Sequence, residues 1–207
     1  MKNPLHYQLT EYDCGPTSLL NAVNYLFERE EIPPEIVRNI MLYCLDCYGA
    51  DGVSGKSGTS GMAMMFLSNW LNGYGHAGHL PIRCRYITGE AVHLGQNGAL
   101  RDALQRGGAA VVLVDFEGWH YVLLTGISGE RALLFDPYYE EEDDPEFDEE
   151  YHTDEIRFLY DTPKQANRSV SIARINRTDI DYYQMGAFHG REAVLMLNTG
   201  RATSQNT

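Results

Sequence analysis

The sequence predicts an α+β protein with its helices first and its strands second. Three observations carry that prediction. Apolar residues recur at helical spacing through about the first 80 positions. From Ile82 onward, period-two alternation and short apolar runs replace them, an order that belongs to α+β rather than α/β architectures. Between the N-terminus and the first helix stands one stretch rich in chemistry, Gln8-Leu9-Thr10-Glu11-Tyr12-Asp13-Cys14-Gly15-Pro16-Thr17-Ser18.

Leu19, Leu20, Val23, Leu26 and Phe27 mark the first helix, opening near Gly15, with Pro16 suited to its first turn. Glu30 to Pro34 breaks the chain. A second helix is expected from Pro34 to about Tyr48, burying Ile36, Val37, Ile40, Met41 and Cys44. A Gly/Ser-rich loop over 49–60 precedes a third helix over about 60–72, with Met65, Phe66 and Trp70 inward. Strands are expected at 82–87, 109–115, 118–126, 131–137, 155–160, 170–175 and 193–198, with a short helix at 98–106. The 207 residues, 43% hydrophobic, suffice for one good core. Residues 1–200 are therefore expected to form one domain, with a helical lobe over about 1–80, a sheet lobe over about 81–200 and a frayed tail at 201–207.

A cysteine at a helix N-terminus meets unpaired N–H groups and the positive end of the macrodipole, which favours its thiolate. That makes Cys14 a candidate nucleophile. The Gln8 side-chain amide and the Cys14 backbone N–H would together form an oxyanion hole. A base and an orienter appear downstream as His120 in Gly118-Trp119-His120-Tyr121-Val122 and Asp136 in Leu134-Phe135-Asp136-Pro137. If Ile127-Ser128-Gly129 is a three-residue hairpin loop, Gly126 pairs with Glu130 and His120 lies opposite Asp136 on one face. A two-residue loop would put them on opposite faces.

These four separated motifs, in this order, resemble the papain-like cysteine peptidases, and within them the bacteriocin-processing (double-glycine leader) peptidases and their stand-alone relatives. The resemblance covers about the first two thirds of the chain. It implies a papain-like fold, with the nucleophile helix packed against a C-terminal antiparallel sheet, and a Cys14–His120–Asp136 triad with Gln8 as oxyanion donor. It also implies a peptide or protein substrate and no cofactor or metal. Members usually head an export transporter and carry alanine after Cys-Gly, whereas this chain has Pro16. Cysteine-peptidase chemistry thus transfers more directly than the double-glycine preference, and association with an export machine stays open. Two other functions fit the same residues. An acyltransferase or transglutaminase-like enzyme would resolve the same acyl-enzyme with an amine, and a non-catalytic module would only bind peptides.

The net charge of −13 argues against nucleic acid and anionic membrane surfaces. No stretch of about 20 apolar residues is present to insert into a bilayer. With no signal-like segment before Gln8, the four cysteines read as reduced thiols in a cytoplasmic protein. Four further patterns are read as structural. Ala50 to Ser57 approximates a phosphate loop, with 111–115 as a magnesium-strand counterpart, but follows a helix rather than a strand. Cys44-Leu45-Asp46-Cys47 lacks a second ligand pair, and His76, His79 and His93 lack carboxylate or thiolate company. The acidic run 140–150 reads as a solvated loop, with selection of basic peptides as its functional alternative. Trp119 reads as core, or as a shelter for the histidine–aspartate bond.

Overall fold

The computed structural model describes residues 4–139 and 153–200. The acidic run and the C-terminal tail singled out above lie outside them. Five α-helices and seven strands appear among the described residues, helices first and strands second as expected. Helices α1 (Cys14–Leu26), α2 (Pro34–Cys44) and α3 (Gly61–His76) come first. Strand β1 (Ile82–Thr88), helix α4 (Ala99–Gln105) and strands β2 (Ala109–Asp115), β3 (Trp119–Ser128) and β4 (Arg131–Phe135) follow. The chain continues through β5 (Ile156–Phe158), β6 (Arg168–Ser171), α5 (Ile172–Ile175) and β7 (Glu192–Asn198).

The strands form one antiparallel sheet of order β1-β7-β2-β3-β4-β6-β5. Strand alternation divides its side chains between two cores. Val111, Tyr121, Leu123, Phe135 and Val194 pack with α1, α2 and α3 on one face. Val112, Val122, Leu124, Leu134 and Ala193 pack with α4, α5 and Tyr182 to Met185 on the other. Covering both faces explains why β2 reads as a continuous apolar run instead of an alternating one.

Four expectations need correction. Helix α2 stops at Cys44, because Asp46 turns away to accept hydrogen bonds from the Ser60 N–H and hydroxyl at the start of α3. It buries only Ile36, Ile40 and Cys44, one residue per turn, leaving Val37 and Met41 exposed. Helix α3 runs on to His76, and its phase differs from the expected one. Met64, Leu67 and Leu71 face the core, while Met65 and Phe66 are exposed, Phe66 lying edge-on to Tyr43 at 5.1 Å. The strand expected at 170–175 is β6 followed by α5. Ser171 caps that turn by accepting from the Arg174 N–H at 3.1 Å, and Ile172 and Ile175 share its buried side.

The hairpin between β3 and β4 is the fourth correction, and it positions the site. Ser128 pairs with Arg131, so the loop is the two residues Gly129 and Glu130, with Gly129 left-handed at φ 59°. That loop alone would place His120 and Asp136 on opposite faces. A bulge between Leu124 and Gly126 restores the alternation: Gly126 pairs with Leu133, but Leu124 pairs with Leu134 and Leu123 with Phe135. One extra residue, Thr125, on β3 reverses the parity beyond it. His120 and the residue after Phe135 then share a face, as neighbours on a diagonal.

Candidate active site

Cys14 is the first residue of α1 and is buried, with 7% of its surface exposed. The helix start is held from three sides. Gly15 packs against the loop before α3, where an added Cβ would collide with the Thr59 hydroxyl and stand 2.7 Å from Thr59 Cβ. Pro16 costs no hydrogen bond in the first turn. One turn on, the fully buried Ser18 hydroxyl donates to the carbonyl of Tyr121 at 2.9 Å, tying α1 to the residue next to His120.

Asp13 immediately precedes the helix but does not cap it with its side chain. Its carboxylate instead points back along the incoming loop. Oδ1 accepts from the Thr10 N–H and hydroxyl, both at 2.8 Å, and Oδ2 accepts from the Leu9 N–H at 3.1 Å. The loop that delivers Gln8 is therefore built on Asp13. The Gln8 backbone N–H donates to the carbonyl of Pro137 at 2.8 Å, beside Asp136. Its side-chain Nε2 donates to the Thr10 carbonyl at 2.9 Å, and its Oε1 is buried without a partner among the described residues. One of the two amide hydrogens is thus held by the loop, which orients the group.

His120 Nε2 and Asp136 Oδ1 are 2.7 Å apart, and Asp136 has no exposed surface. Cys14 lies near enough to the same imidazole to favour its protonated form. Nε2 is occupied by Asp136, so Nδ1 is the nitrogen left for sulfur. Burial alone would lower the pKa of His120, but the Asp136 charge, its hydrogen bond and the contact with Cys14 push it up to about 10. Burial would likewise raise Asp136. The neighbouring His120, the charge of Arg168 and the Tyr183 hydrogen bond hold its carboxyl below the usual range instead. The structure thus makes His120 and Asp136 a buried, charge-paired couple and sets the buried Cys14 beside it.

Trp119 does not shelter this pair. The residue is 53% exposed rather than core, and the edge of its ring lies against Gly186 and Gly190. Phe116 takes that place, with its ring centroid 5.4 Å from His120 and packed also against Tyr138, Tyr182 and Tyr183. Of the other patterns, Cys44 is buried and Cys47 partly so, both as free thiols. His79 stacks on Tyr74, and His93 accepts from the Gly95 N–H. No group of three or more metal-ligating side chains occurs among the described residues. Ala50 to Ser57 lies in an irregular loop between α2 and α3 with no preceding strand.

The family model described as the Peptidase_C39 like family matches residues 2–158. The chain belongs to that family. It is a cysteine peptidase with a papain-like α+β fold. No curated protein sequence matches it. Among solved structures it is similar to a double glycine motif protease from an AMS/PCAT transporter in complex with the leader peptide. That similarity has 13% identity and a TM-score of 0.43, covering 94% of this chain and 89% of the other. No helix among the described residues of this C39-like chain is long and apolar enough to cross a membrane.

Several residues that complete the site lie beyond the matched segment, and sequence reasoning missed them. Asn167 brackets Asp136 from β4's neighbour, accepting from its backbone N–H at 2.7 Å and donating to its carbonyl at 2.8 Å. Tyr183 donates its hydroxyl to Asp136 Oδ2 at 2.6 Å. Glu192 accepts hydrogen bonds from the hydroxyls of Tyr86 and Tyr121 under the site. An asparagine, a tyrosine and a glutamate without a motif around them carry no local signal. Only the sheet order reveals them.

Proposed function

We propose that this C39-like peptidase hydrolyses peptide bonds through a Cys14–His120–Asp136 triad with Gln8 in the oxyanion hole, the helical and sheet lobes acting as one catalytic unit. The observation that carries the reading is the 2.7 Å contact from His120 Nε2 to the buried Asp136, with Cys14 near enough to the imidazole to favour its charged form. With His120 held as imidazolium, sulfur attacks the peptide carbonyl carbon as thiolate. The imidazolium then gives its Nδ1 proton to the leaving amine, and the neutral ring takes a proton from the water that cleaves the thioester. Asp136 keeps the ring oriented and supports its charge throughout. The Gln8 amide hydrogen not engaged by Thr10, with the Cys14 N–H, receives the developing oxyanion. A groove of about 280 Å³ beside the Gln8 loop, lined by Tyr7, Leu9, Asp13, Leu20, Val37 and Met41, offers apolar surface for a peptide chain.

The test is turnover of a mixed peptide library, read by mass spectrometry with and without an added amine. Cys14→Ala should abolish turnover, and His120→Ala should lower it on the order of 10³-fold or more. Hydrolysis products in both conditions support a peptidase, whereas amine adducts in place of acids assign an acyltransferase. Peptide binding that survives Cys14→Ala without turnover by the unmodified chain assigns a binding module.

A further inference from the structure

We propose that Tyr183 is a positioning residue for this reaction, holding Asp136 in its ionised, histidine-facing state through a hydroxyl supplied from outside the C39-like segment. The proposal rests on the triad reading above.

Asp136 is closed in on every side. Its Oδ1 serves His120 Nε2 and the Tyr138 N–H at 2.8 Å, and Arg168 from β6 contributes a favourable charge. Its Oδ2 accepts from the Tyr183 hydroxyl at 2.6 Å, its one partner among the described residues. A buried carboxylate oxygen without a donor favours taking up a proton or swinging away, and either change would weaken the bond that orients the imidazole.

Tyr183 is built for that contact. It is fully buried and sits in the left-handed region at φ 60°, a conformation that bulky side chains rarely adopt. Such strain persists where surrounding structure over-determines it, and here it is fixed by two reciprocal backbone bonds. The Tyr183 N–H donates to the Asp115 carbonyl, and the Asp115 N–H donates to the Gln184 carbonyl, both at 2.8 Å. Asp115 ends β2 opposite Trp119, one step from the Val114–His120 pair. The strained residue is therefore pinned to the strand beside the histidine, and its hydroxyl reaches the aspartate from the far side. Phe116 fills the space between them, 5.5 Å from the Tyr183 ring and 5.4 Å from His120. Hydrogen-bond satisfaction alone needs no left-handed tyrosine clamped at both sides.

The experiment compares the full chain with Tyr183→Phe, which keeps the ring and removes only the donor. kcat/KM is followed against pH on a peptide cleaved by the unmodified enzyme, and the imidazole N–H proton of His120 is followed by NMR without substrate. Losing a hydrogen bond to a charged group should move the acid limb upward by about one to two pH units. It should lower kcat about tenfold, change KM less than about twofold, and shift the His120 N–H resonance. Superimposable pH profiles and an unmoved resonance would overturn the proposal. If the phenylalanine variant does not fold, 3-fluorotyrosine placed at position 183 retains the ring and is a stronger donor. The acid limb should then move downward, and no movement overturns the proposal equally. An enzyme without peptidase activity would sink the triad reading, while the NMR arm would still decide whether Tyr183 controls the Asp136–His120 bond.

Discussion

The charge pair at the centre of the site makes folding stability depend on pH in a defined direction. His120 rises from 6.5 in an exposed reference to about 10 in the folded chain. Below about pH 6.5 the histidine is protonated in both states, and the full stabilisation is present. Between 6.5 and about 10 the unfolded chain has released that proton while the folded chain still holds it, so stability falls as pH rises. At about 1.4 kcal/mol per pH unit, the loss is at most on the order of 5 kcal/mol. Asp136 acts with the opposite sign: its lowered value gives stability that is lost as pH falls below the ordinary carboxylate range. Both effects belong to one pair and are counted once. Urea unfolding of the unmodified chain and of His120→Gln, from about pH 6 to 10, isolates the effect. The buried thiols of Cys44 and Cys84, also pushed up by burial, titrate in the same direction but are common to both proteins. The stability difference between the two proteins should shrink by several kcal/mol across this range. Parallel curves would refute an ionised His120–Asp136 pair.

Two other substitutions test how the site is held. Gly15→Ala drives a methyl group into Thr59 and should cost about 1–3 kcal/mol in urea unfolding. Adding Thr59→Gly should recover most of it, and additive losses would show that the two do not touch. Asp13→Asn replaces one of two accepting oxygens with an NH2 group facing the Leu9 N–H or the Thr10 donors. It should cost about 1–3 kcal/mol and reduce kcat by loosening the Gln8 loop. An unchanged kcat would separate Asp13 from the oxyanion hole.

Much of this protein is legible along the chain because its signals are local. Helix α1 announces itself by apolar spacing, strands β1 and β2 by their composition, and Cys14, His120 and Asp136 by the short motifs around them. Helix phase was less legible. In α3 the runs Met64-Met65-Phe66-Leu67 offer apolar residues in several directions, and only the sheet underneath selects Met64, Leu67 and Leu71. The strand expected at 170–175 failed for a similar reason, since Val170, Ile172 and Ile175 satisfy both a strand and a turn of helix.

The amino-acid order by itself determined which residues are chemically competent and in which sequence they arrive. The tertiary structure decided whether they meet. His120 and Asp136 share a face only because a bulge at Thr125 offsets a two-residue hairpin loop, a parity that depends on register across the sheet. Gln8 is oriented by a loop folded onto Asp13, and Asp136 is completed by Asn167 and Tyr183, which come 31 and 47 residues later. Contacts across such separations are fixed by strand order and packing, which no window of sequence contains.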